Sequence, residues 1–472
     1  MKRYEQYADE IAELIRTQVL RAGDRLPSVR QASGSRHISP STVFEAYYLL
    51  EARGLIQARP RSGYYVNALR AAGGVEPATA PPAGESTPVA ISELVFEVLG
   101  STRQADVVPL GSAFPSPRLF PLDKLARCLS PAMRRLEPQR IVEELTSGSE
   151  RLRRQLGLRY VSAGLGLDTR EIVITNGAME ALNLCLQAVT RPGDVVAVES
   201  PTFYAALQAL ERLQLRAVEV ATHPRHGVEL ASLAQVLSQH PVKACWFMPN
   251  FQNPLGSLMP EENKRALVEL LARHEVPLIE DDVYAELYFG LRRPLPCKSF
   301  DRQGLVMHCS SFSKNLAPGY RVGWTAAGRF AERVQRLKLM TTLGNAVAPQ
   351  EALCDYLQQG GYDRHLRQLR QALADSQARA LRGIAKHFPA GTRVTRPEGG
   401  YFLWVQLPQG VDALTLHRLA LSQNISLAPG HLFSADRRFA NCVRLNYGQG
   451  GDERFDDALR TLGQLACAQL AA

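Results

Sequence analysis

A lysine beside a predicted buried strand is the residue of this sequence best suited to covalent chemistry. Lys314 stands in S-F-S-K-N-L-A-P-G-Y-R-V-G-W, residues 311–324, just after the apolar run 305–309, and Arg321 follows seven residues later. A lysine whose pKa is lowered by burial reacts as an amine with carbonyl compounds. A solvated surface lysine is the ordinary alternative. However, the chain has only eight lysines, and this one stands among residue types that bind phosphate.

A predicted helix start near residue 177 offers backbone amides to an anion. The apolar run 171–175 leads into T-N-G-A-M-E-A-L, whose small residues free the amides of Gly177, Ala178 and Met179. Since the N-terminal end of a helix carries partial positive charge, a phosphate group binds there favourably. A turn that only joins strand to helix is the alternative.

Two further predicted strands end in polar residues. Strand 244–248 precedes P-N-F-Q-N-P-L-G, in which Asn253 is able to hydrogen-bond a ligand oxygen, and strand 277–280 precedes D-D-V-Y, residues 281–284. A carboxylate at the end of a buried strand is costly unless a positive group faces it. Asp281 is therefore a candidate partner for a cationic group, with a helix N-cap as the alternative role.

The body of the chain alternates apolar runs with amphipathic segments, which predicts an α/β fold. The predicted strands are residues 171–175, 195–199, 216–220, 244–248, 277–280, 305–309 and 322–326, with helical segments such as 202–213 and 261–274 between them. This alternation is typical of a mainly parallel sheet with both faces covered. Ligands of such sheets bind beyond the carboxyl ends of the strands, where the polar residues above are predicted to lie.

The N-terminal residues predict three helices followed by a β-hairpin. The first helix has an apolar stripe at helical spacing, formed by Tyr4, Tyr7, Ile11 and Leu14. A second helix starts at Pro27, and a third is capped by Ser39 and closed by Gly54. Short strands at 55–58 and 64–66 flank a basic turn, which gives the shape of a wing.

Composition restricts the class of protein. The 472 residues are 45% hydrophobic and 21% charged, with a mean hydropathy of −0.16, which excludes wholesale disorder and collagen-like structure. No apolar stretch approaches the roughly 20 residues of a membrane-spanning helix. The N-terminus M-K-R-Y-E-Q-Y-A-D-E lacks the apolar region of a signal peptide. We therefore expect a cytoplasmic protein.

Cysteine usage and charge add two expectations. None of the eight cysteines forms a C-x-x-C pair, so we expect buried thiols rather than a metal site or a disulfide framework. The net charge is +9, and residues 1–70 hold 11 Lys/Arg against 7 Asp/Glu. This excess is a weak indication of a polyanionic partner.

A stretch rich in Ala, Pro, Gly and Thr separates the two parts of the chain. Residues 67–90 have no apolar period, so they predict a flexible linker, although a surface loop is the alternative. The predicted division is an N-terminal domain at 1–68, a linker at 69–90 and a second domain at 91–472.

The N-terminal part resembles the winged helix-turn-helix of the GntR family of bacterial regulators. The resemblance rests on G-D-R-L-P-S-V-R (23–30), S-P-S-T-V-F-E-A-Y-Y-L-L-E-A-R-G-L-I (39–56) and S-G-Y-Y-V (62–66). It implies that the third helix enters the major groove of double-stranded DNA while the wing follows the backbone or minor groove. The DNA-contacting positions it implies are Arg30, Ser39, Ser41, Thr42 and Gly63, with Arg61 as a phosphate contact. A small helical accessory domain with the same packing is the alternative.

The body resembles the fold-type I aminotransferases, which use pyridoxal phosphate. The resemblance implies a large, mainly parallel lobe and a smaller α/β lobe. It makes Lys314 the residue that binds the cofactor covalently and pairs Asp281 with the pyridinium nitrogen. It also places Asn253 and Tyr284 at the ring's phenolic oxygen.

The same resemblance implies the groups that hold the phosphate and a carboxylate. Phosphate ligands are Ser311, Arg321 and the amides of Gly177, Ala178 and Met179. Phe203, in E-S-P-T-F-Y, matches the stacking aromatic, with Tyr204 as the second choice. In N-C-V-R-L-N-Y-G, Arg444 matches the arginine that grips an α-carboxylate.

The complete arrangement resembles the MocR subfamily of GntR regulators. That resemblance implies a head-to-tail homodimer and a transcriptional regulator that senses an amino acid, an amine or pyridoxal phosphate itself. The alternative is an active aminotransferase whose N-terminal domain is accessory, so the presence of physiological turnover stays open.

Overall fold

The computed structural model describes residues 3–17, 19–21, 23–52, 55–59, 62–66, 75–100, 106–139, 146–290 and 292–471. The chain divides into two units. The smaller comprises residues 1–74 with 289–293, and the larger comprises residues 75–288 with 294–472.

The smaller unit has the predicted three helices and hairpin. They are α1 (Arg3–Arg16), α2 (Val29–Arg36), α3 (Pro40–Ala52), β1 (Ile56–Arg59) and β2 (Gly63–Val66), with β1 and β2 antiparallel. Tyr7, Ile11 and Ile15 of α1 are buried with Val43 and Tyr47 of α3. The core face of α1 therefore includes Ile15, whereas the predicted stripe residue Leu14 is only half-buried.

The larger unit contains the predicted α/β sheet. The strands are β3 (Ser86–Pro88), β5 (Ile172–Thr175), β6 (Val195–Ser200), β7 (Arg216–His223), β8 (Gly227–Val228), β9 (Val242–Phe247), β10 (Leu278–Asp281), β11 (Val306–Ser311) and β12 (Gly323–Ala326). The sheet order is β3-β7-β6-β9-β10-β11-β12-β5, with β8 paired to β7. The five neighbouring strands β7-β6-β9-β10-β11 are mutually parallel, while β12 is antiparallel to both its neighbours. The seven predicted strands are confirmed.

Both faces of this sheet are buried. Along β6, Val196 and Val198 belong to one hydrophobic cluster, whereas Val195 and Ala197 belong to another. Alternate residues thus point into two separate cores, as expected for a sheet covered on both sides.

Helices of the larger unit cover the sheet and form the rest of the body. They are α4 (Ser92–Gly100), α5 (Leu122–Arg134), α6 (Glu150–Ser162), α7 (Ala178–Val189), α8 (Tyr204–Arg212), α9 (Leu230–Gln239), α10 (Glu261–Arg273), α11 (Ala331–Thr341), α12 (Val347–Gln358), α13 (Gly361–His387), α14 (Ala413–Leu421) and α15 (Glu453–Ala471).

A second, smaller sheet lies in the C-terminal part of the larger unit. Its order is β13-β14-β17-β16, formed by β13 (Arg393–Val394), β14 (Phe402–Gln406), β16 (Ala428–Pro429) and β17 (Cys442–Asn446). A separate parallel pair joins β4 (Val108–Pro109) to β15 (Ile425–Ser426). This smaller sheet corresponds to the predicted smaller lobe.

The structure differs from the predicted flexible linker over residues 75–90. Strand β3 pairs with β7 of the main sheet, and Nε2 of His240 lies 2.9 Å from the Gly84 carbonyl oxygen. Glu76 also accepts a hydrogen bond from the Arg396 amide. These contacts use backbone and polar groups, which a search for apolar periodicity does not detect. The rest of the predicted linker, up to residue 74, lies outside the described residues.

Seven of the eight cysteines are buried free thiols, and Cys467 is exposed. Within the described part of the chain, no helix combines the length and apolar character needed to cross a membrane.

Candidate functional site

Lys314 follows β11, as predicted, and is partly withdrawn from solvent. Its Nζ donates a 2.8 Å hydrogen bond to the carbonyl oxygen of Ala113 and lies 3.8 Å from the centre of the Phe114 ring. Burial lowers its pKa to about 7, and the nearby Arg444 guanidinium acts in the same direction. A substantial fraction of this amine is therefore neutral near pH 7, which is the nucleophilic form.

Asp281 is the last residue of β10 and is buried, with no hydrogen-bond partner at Oδ1 among the described residues. Burial raises its pKa to about 7, an effect opposed by the positive charge of Lys314. The neighbouring Asp282 instead meets His308, whose Nε2 lies 2.8 Å from Oδ2. Residues 283–286 form a turn and no α-helix follows Asp281, so Asp281 does not cap an α-helix and the N-cap alternative is wrong.

Arg444 lies on β17 and is fully buried. Its Nη1 donates to Oδ1 of Asn253 at 3.1 Å, and its Nη2 donates to the Gly111 carbonyl oxygen at 2.6 Å. The guanidinium also lies 4.3 Å from the centre of the Phe402 ring. Nε of Arg444 and Nδ2 of Asn253 are buried donors without a partner in the described structure, so both are able to bind a ligand.

Gly177 and Arg321 meet at the start of α7. Gly177 is the N-cap residue, with φ of +83°, and a Cβ there would clash with Nη2 of Arg321. Arg321 Nη2 donates to the Asn176 carbonyl oxygen at 3.2 Å, and its Nη1 donates to Ser313 Oγ at 3.3 Å. The absence of a side chain at residue 177 thus lets a guanidinium approach the helix start.

One predicted phosphate ligand is already engaged. The Gly177 amide donates to the Thr175 carbonyl oxygen at 2.9 Å, because the turn closes on the end of β5. The amides of Ala178 and Met179 lie in the first turn of α7, where backbone amides have no intrahelical acceptor. Ser311 is buried and accepts a 3.3 Å hydrogen bond from the Ser313 amide.

The predicted aromatic residues have different exposures. Tyr284 is buried, with its ring centre 5.4 Å from that of Tyr401, and burial raises its pKa. Phe203 precedes α8 and is half-buried, whereas Tyr204 is buried against Phe433. The exposures favour Phe203 over Tyr204 as a ring available to a ligand.

The predicted DNA-contacting residues lie in the smaller unit. Arg30, in the first turn of α2, is exposed. Ser39 Oγ accepts from the Thr42 amide at 3.2 Å, and it lies 2.8 Å from the hydroxyls of both Ser41 and Thr42. Gly63, with φ of +103°, begins β2. Arg61 lies outside the described residues.

Comparison with protein families assigns each unit separately. Residues 3–66 match the bacterial regulatory proteins of the gntR family, and residues 144–462 match aminotransferase class I and II. The chain belongs to the MocR type of GntR-family transcriptional regulators.

This MocR-type regulator is similar to proteins of both classes. The uncharacterized HTH-type transcriptional regulator YdcR of Escherichia coli K12 is 46% identical over 467 residues, covering 98% of this chain and 99% of that protein. Among solved structures, the kynurenine aminotransferase of Pyrococcus horikoshii is 29% identical with a TM-score of 0.75, covering 80% of this chain and 95% of the other. LysN, the α-aminoadipate aminotransferase of Thermus thermophilus, is 28% identical with a TM-score of 0.72, covering 81% of this chain and 100% of the other.

Pyridoxal phosphate is the cofactor that this family implies, and the residues of the MocR-type regulator fit it. Asp281 Oδ1 and Asn253 Nδ2 have no hydrogen-bond partner among the described residues. The first suits a protonated ring nitrogen, and the second suits an oxygen acceptor. The Gly177 and Arg321 pair suits a phosphate group. When bound, this cofactor supplies an electron sink for chemistry at an amine-bearing carbon.

The segment 111–114 and Tyr401 also belong to the site, although they were not predicted from the sequence. Tyr401 donates a 2.9 Å hydrogen bond to the same Ala113 carbonyl oxygen that Lys314 reaches. A detectable signal was Gly399-Gly400 before Tyr401, because a Cβ at Gly399 would lie 2.5 Å from the Phe251 ring. Such a pair marks a close backbone approach.

Proposed function

We propose that the larger unit of this regulator binds pyridoxal phosphate and senses an α-amino acid there, and that ligand binding changes the affinity of the smaller unit for operator DNA. An amine effector or the cofactor itself is the other ligand class. The regulator acts in the cytoplasm on chromosomal DNA.

The choice of an α-amino acid rests on the positions of two side chains. Lys314 and Arg444, the amine and the guanidinium of the site, donate to the Ala113 and Gly111 carbonyls, only two residues apart. The amine and carboxylate of an α-amino acid are separated by a single carbon. The amine of the ligand would take the place of Lys314 at the cofactor, so the neighbouring Arg444 is suited to bind the carboxylate of the same molecule.

The proposed roles follow from these contacts. Lys314 attaches the cofactor, Asp281 holds the proton on its ring nitrogen, and Asn253 and Tyr284 bond its phenolic oxygen. Arg321, Ser311 and the Ala178 and Met179 amides hold the phosphate, Phe203 stacks on the ring, and Arg444 binds the effector carboxylate.

We also propose a head-to-tail homodimer with two winged helices. Three exposed apolar side chains in and after α11, Leu339, Met340 and Leu343, support an interface with a second copy. In each winged helix, Arg30, Ser39, Ser41, Thr42, Arg61 and Gly63 are the proposed DNA contacts. Alanine at Arg30 is expected to cost about 1–3 kcal/mol of specific binding if the arginine contacts a base.

An active aminotransferase is the second candidate. It is favoured by the presence of Lys314, Asp281 and Asn253, the side chains that would bind the cofactor in an enzyme as well. The two candidates differ in turnover. We expect amino acids, screened by their effect on the cofactor's absorbance, to alter operator affinity while being converted slowly. Fast repeated conversion without an effect on DNA would favour the enzyme.

A further inference from the structure

The outer face of α3 carries two exposed aromatic side chains. Phe44 and Tyr48 are 54% and 52% exposed, and Val19 is the other strongly exposed large apolar residue among those described in the smaller unit. Phe44 and Tyr48 are four residues apart, so they lie on one exposed face, beside the buried face that carries Val43 and Tyr47. This apolar strip makes no contribution to the core.

The hydroxyl groups at the start of α3 are already bonded to one another. Ser39 Oγ accepts from the Thr42 amide and lies 2.8 Å from the Ser41 and Thr42 hydroxyls. These bonds cap the helix. The next exposed side chain along this face is Phe44.

We propose that Phe44 reads the C5-methyl group of thymine in the operator. The third helix of this fold enters the major groove, where the thymine methyl is the apolar group on the base edges and a phenylalanine contacts it favourably. DNA is the partner that the charge favours, because residues 1–70 hold 11 Lys/Arg against 7 Asp/Glu.

Phe44 is better placed for this contact than Tyr48. It is the fifth residue of α3, whereas Tyr48 is the ninth, and base edges are contacted by the N-terminal residues of a recognition helix. Tyr48 also has a hydroxyl, which suits a phosphate oxygen.

The proposal rests on sequence-specific DNA binding by the smaller unit. Its test distinguishes failure of the Phe44 contact from failure of DNA binding itself. Full-length protein with pyridoxal phosphate is used to select binding sites from a random-sequence DNA pool. Each thymine of the selected operator is then replaced by deoxyuridine, which removes only the methyl group. We expect about fourfold weaker binding at one thymine per half-site.

The variants assign that loss to one side chain. Phe44→Ala is expected to bind the thymine and deoxyuridine operators equally, and Phe44→Leu to keep part of the difference. Val19→Ala removes an exposed apolar side chain outside α3, and it is expected to keep the full difference in affinity between the thymine and deoxyuridine operators. Circular dichroism checks that each variant is folded.

Three results would overturn the proposal. The first is a selected operator in which no thymine is sensitive to loss of its methyl group. The second is a difference in affinity between the thymine and deoxyuridine operators that persists in Phe44→Ala. Either result contradicts only the proposal about Phe44, and it would indicate that the Phe44 face binds a protein partner. Selection of no common sequence by the wild type contradicts the DNA-binding function and this proposal together.

Discussion

Arg444 Nη1 donates a 3.1 Å hydrogen bond to Oδ1 of Asn253, which joins β17 of the smaller sheet to the residues that follow β9 of the main sheet. The bond orients both side chains, and it leaves Asn253 Nδ2 and Arg444 Nε as buried donors without a partner in the described structure. One contact therefore links the proposed cofactor-binding amide to the proposed carboxylate-binding guanidinium.

Arg444 is expected to distinguish an amino acid from the corresponding decarboxylated amine. Arg444→Ala should weaken binding of a carboxylate effector about 10- to 100-fold, since hydrogen bonds to charged groups contribute roughly 1.5–3 kcal/mol. Binding of the amine should change little. Titrations of the cofactor's absorbance with both compounds test this, and equal losses for the two would remove Arg444 from carboxylate recognition.

Lys314 is expected to be the residue that borohydride links to the cofactor. Its lowered pKa, about 7, makes the amine reactive near neutral pH, so peptide mass spectrometry should find the pyridoxyl group there. Lys314→Ala should lose the adduct and remain folded. Lys338 is the internal comparison, because burial also lowers its pKa, to about 8. Label on Lys338 instead would refute the assignment.

Gly177 is expected to matter for the cofactor rather than for folding. In Gly177→Ala the new Cβ would displace the end of the flexible Arg321 side chain, which should weaken pyridoxal phosphate binding roughly 10- to 100-fold. Gly193→Ala is the matched control, because its φ is also positive, +90°, and no atom lies within 4 Å of its Cβ. Both variants should lose similar stability through backbone strain. Equal cofactor affinity in the two would contradict the role of Arg321.

Asp281 is expected to make the stability of the cofactor-free protein fall with rising pH. Burial raises its pKa to about 7 from the ordinary 3.8. Between these values the folded protein holds a proton that the unfolded chain releases. Its contribution to stability is therefore fully present below about pH 4 and is lost by about pH 7.

Asp281→Asn should abolish that part of the pH dependence, which is on the order of 2–4 kcal/mol across the window. The urea midpoint can be followed by tryptophan fluorescence, since Trp246, Trp324 and Trp404 all lie in the larger unit. If the urea midpoint varies with pH in the same way for wild type and variant, Asp281 is charged in the folded protein.

The sequence predicted the elements that depend on apolar pattern and on turn residues. The strand before Lys314 and the helix capped by Ser39 are both where the spacing indicated. Asp281 was likewise predicted at the end of its strand because a buried carboxylate is conspicuous.

Features that depend on long-range backbone contacts could not be predicted. The carbonyls of Gly111 and Ala113 face Arg444 and Lys314 from residues about 200 or more positions away, and no local pattern marks them. The pairing of Ser86–Pro88 with β7 is of the same kind. The Gly177 amide looked free because the turn that binds it to Thr175 is set by backbone geometry.

Reciprocal linkage between effector and operator tests the central claim most directly. Operator affinity is measured with and without a saturating amino compound, and the affinity for that compound is measured with and without operator. Both should shift by the same factor, roughly 5- to 150-fold, as allosteric coupling requires. If every compound that saturates the cofactor's spectral change leaves operator affinity unaltered, the larger unit is not a sensor. Efficient turnover of such a compound would then identify an aminotransferase.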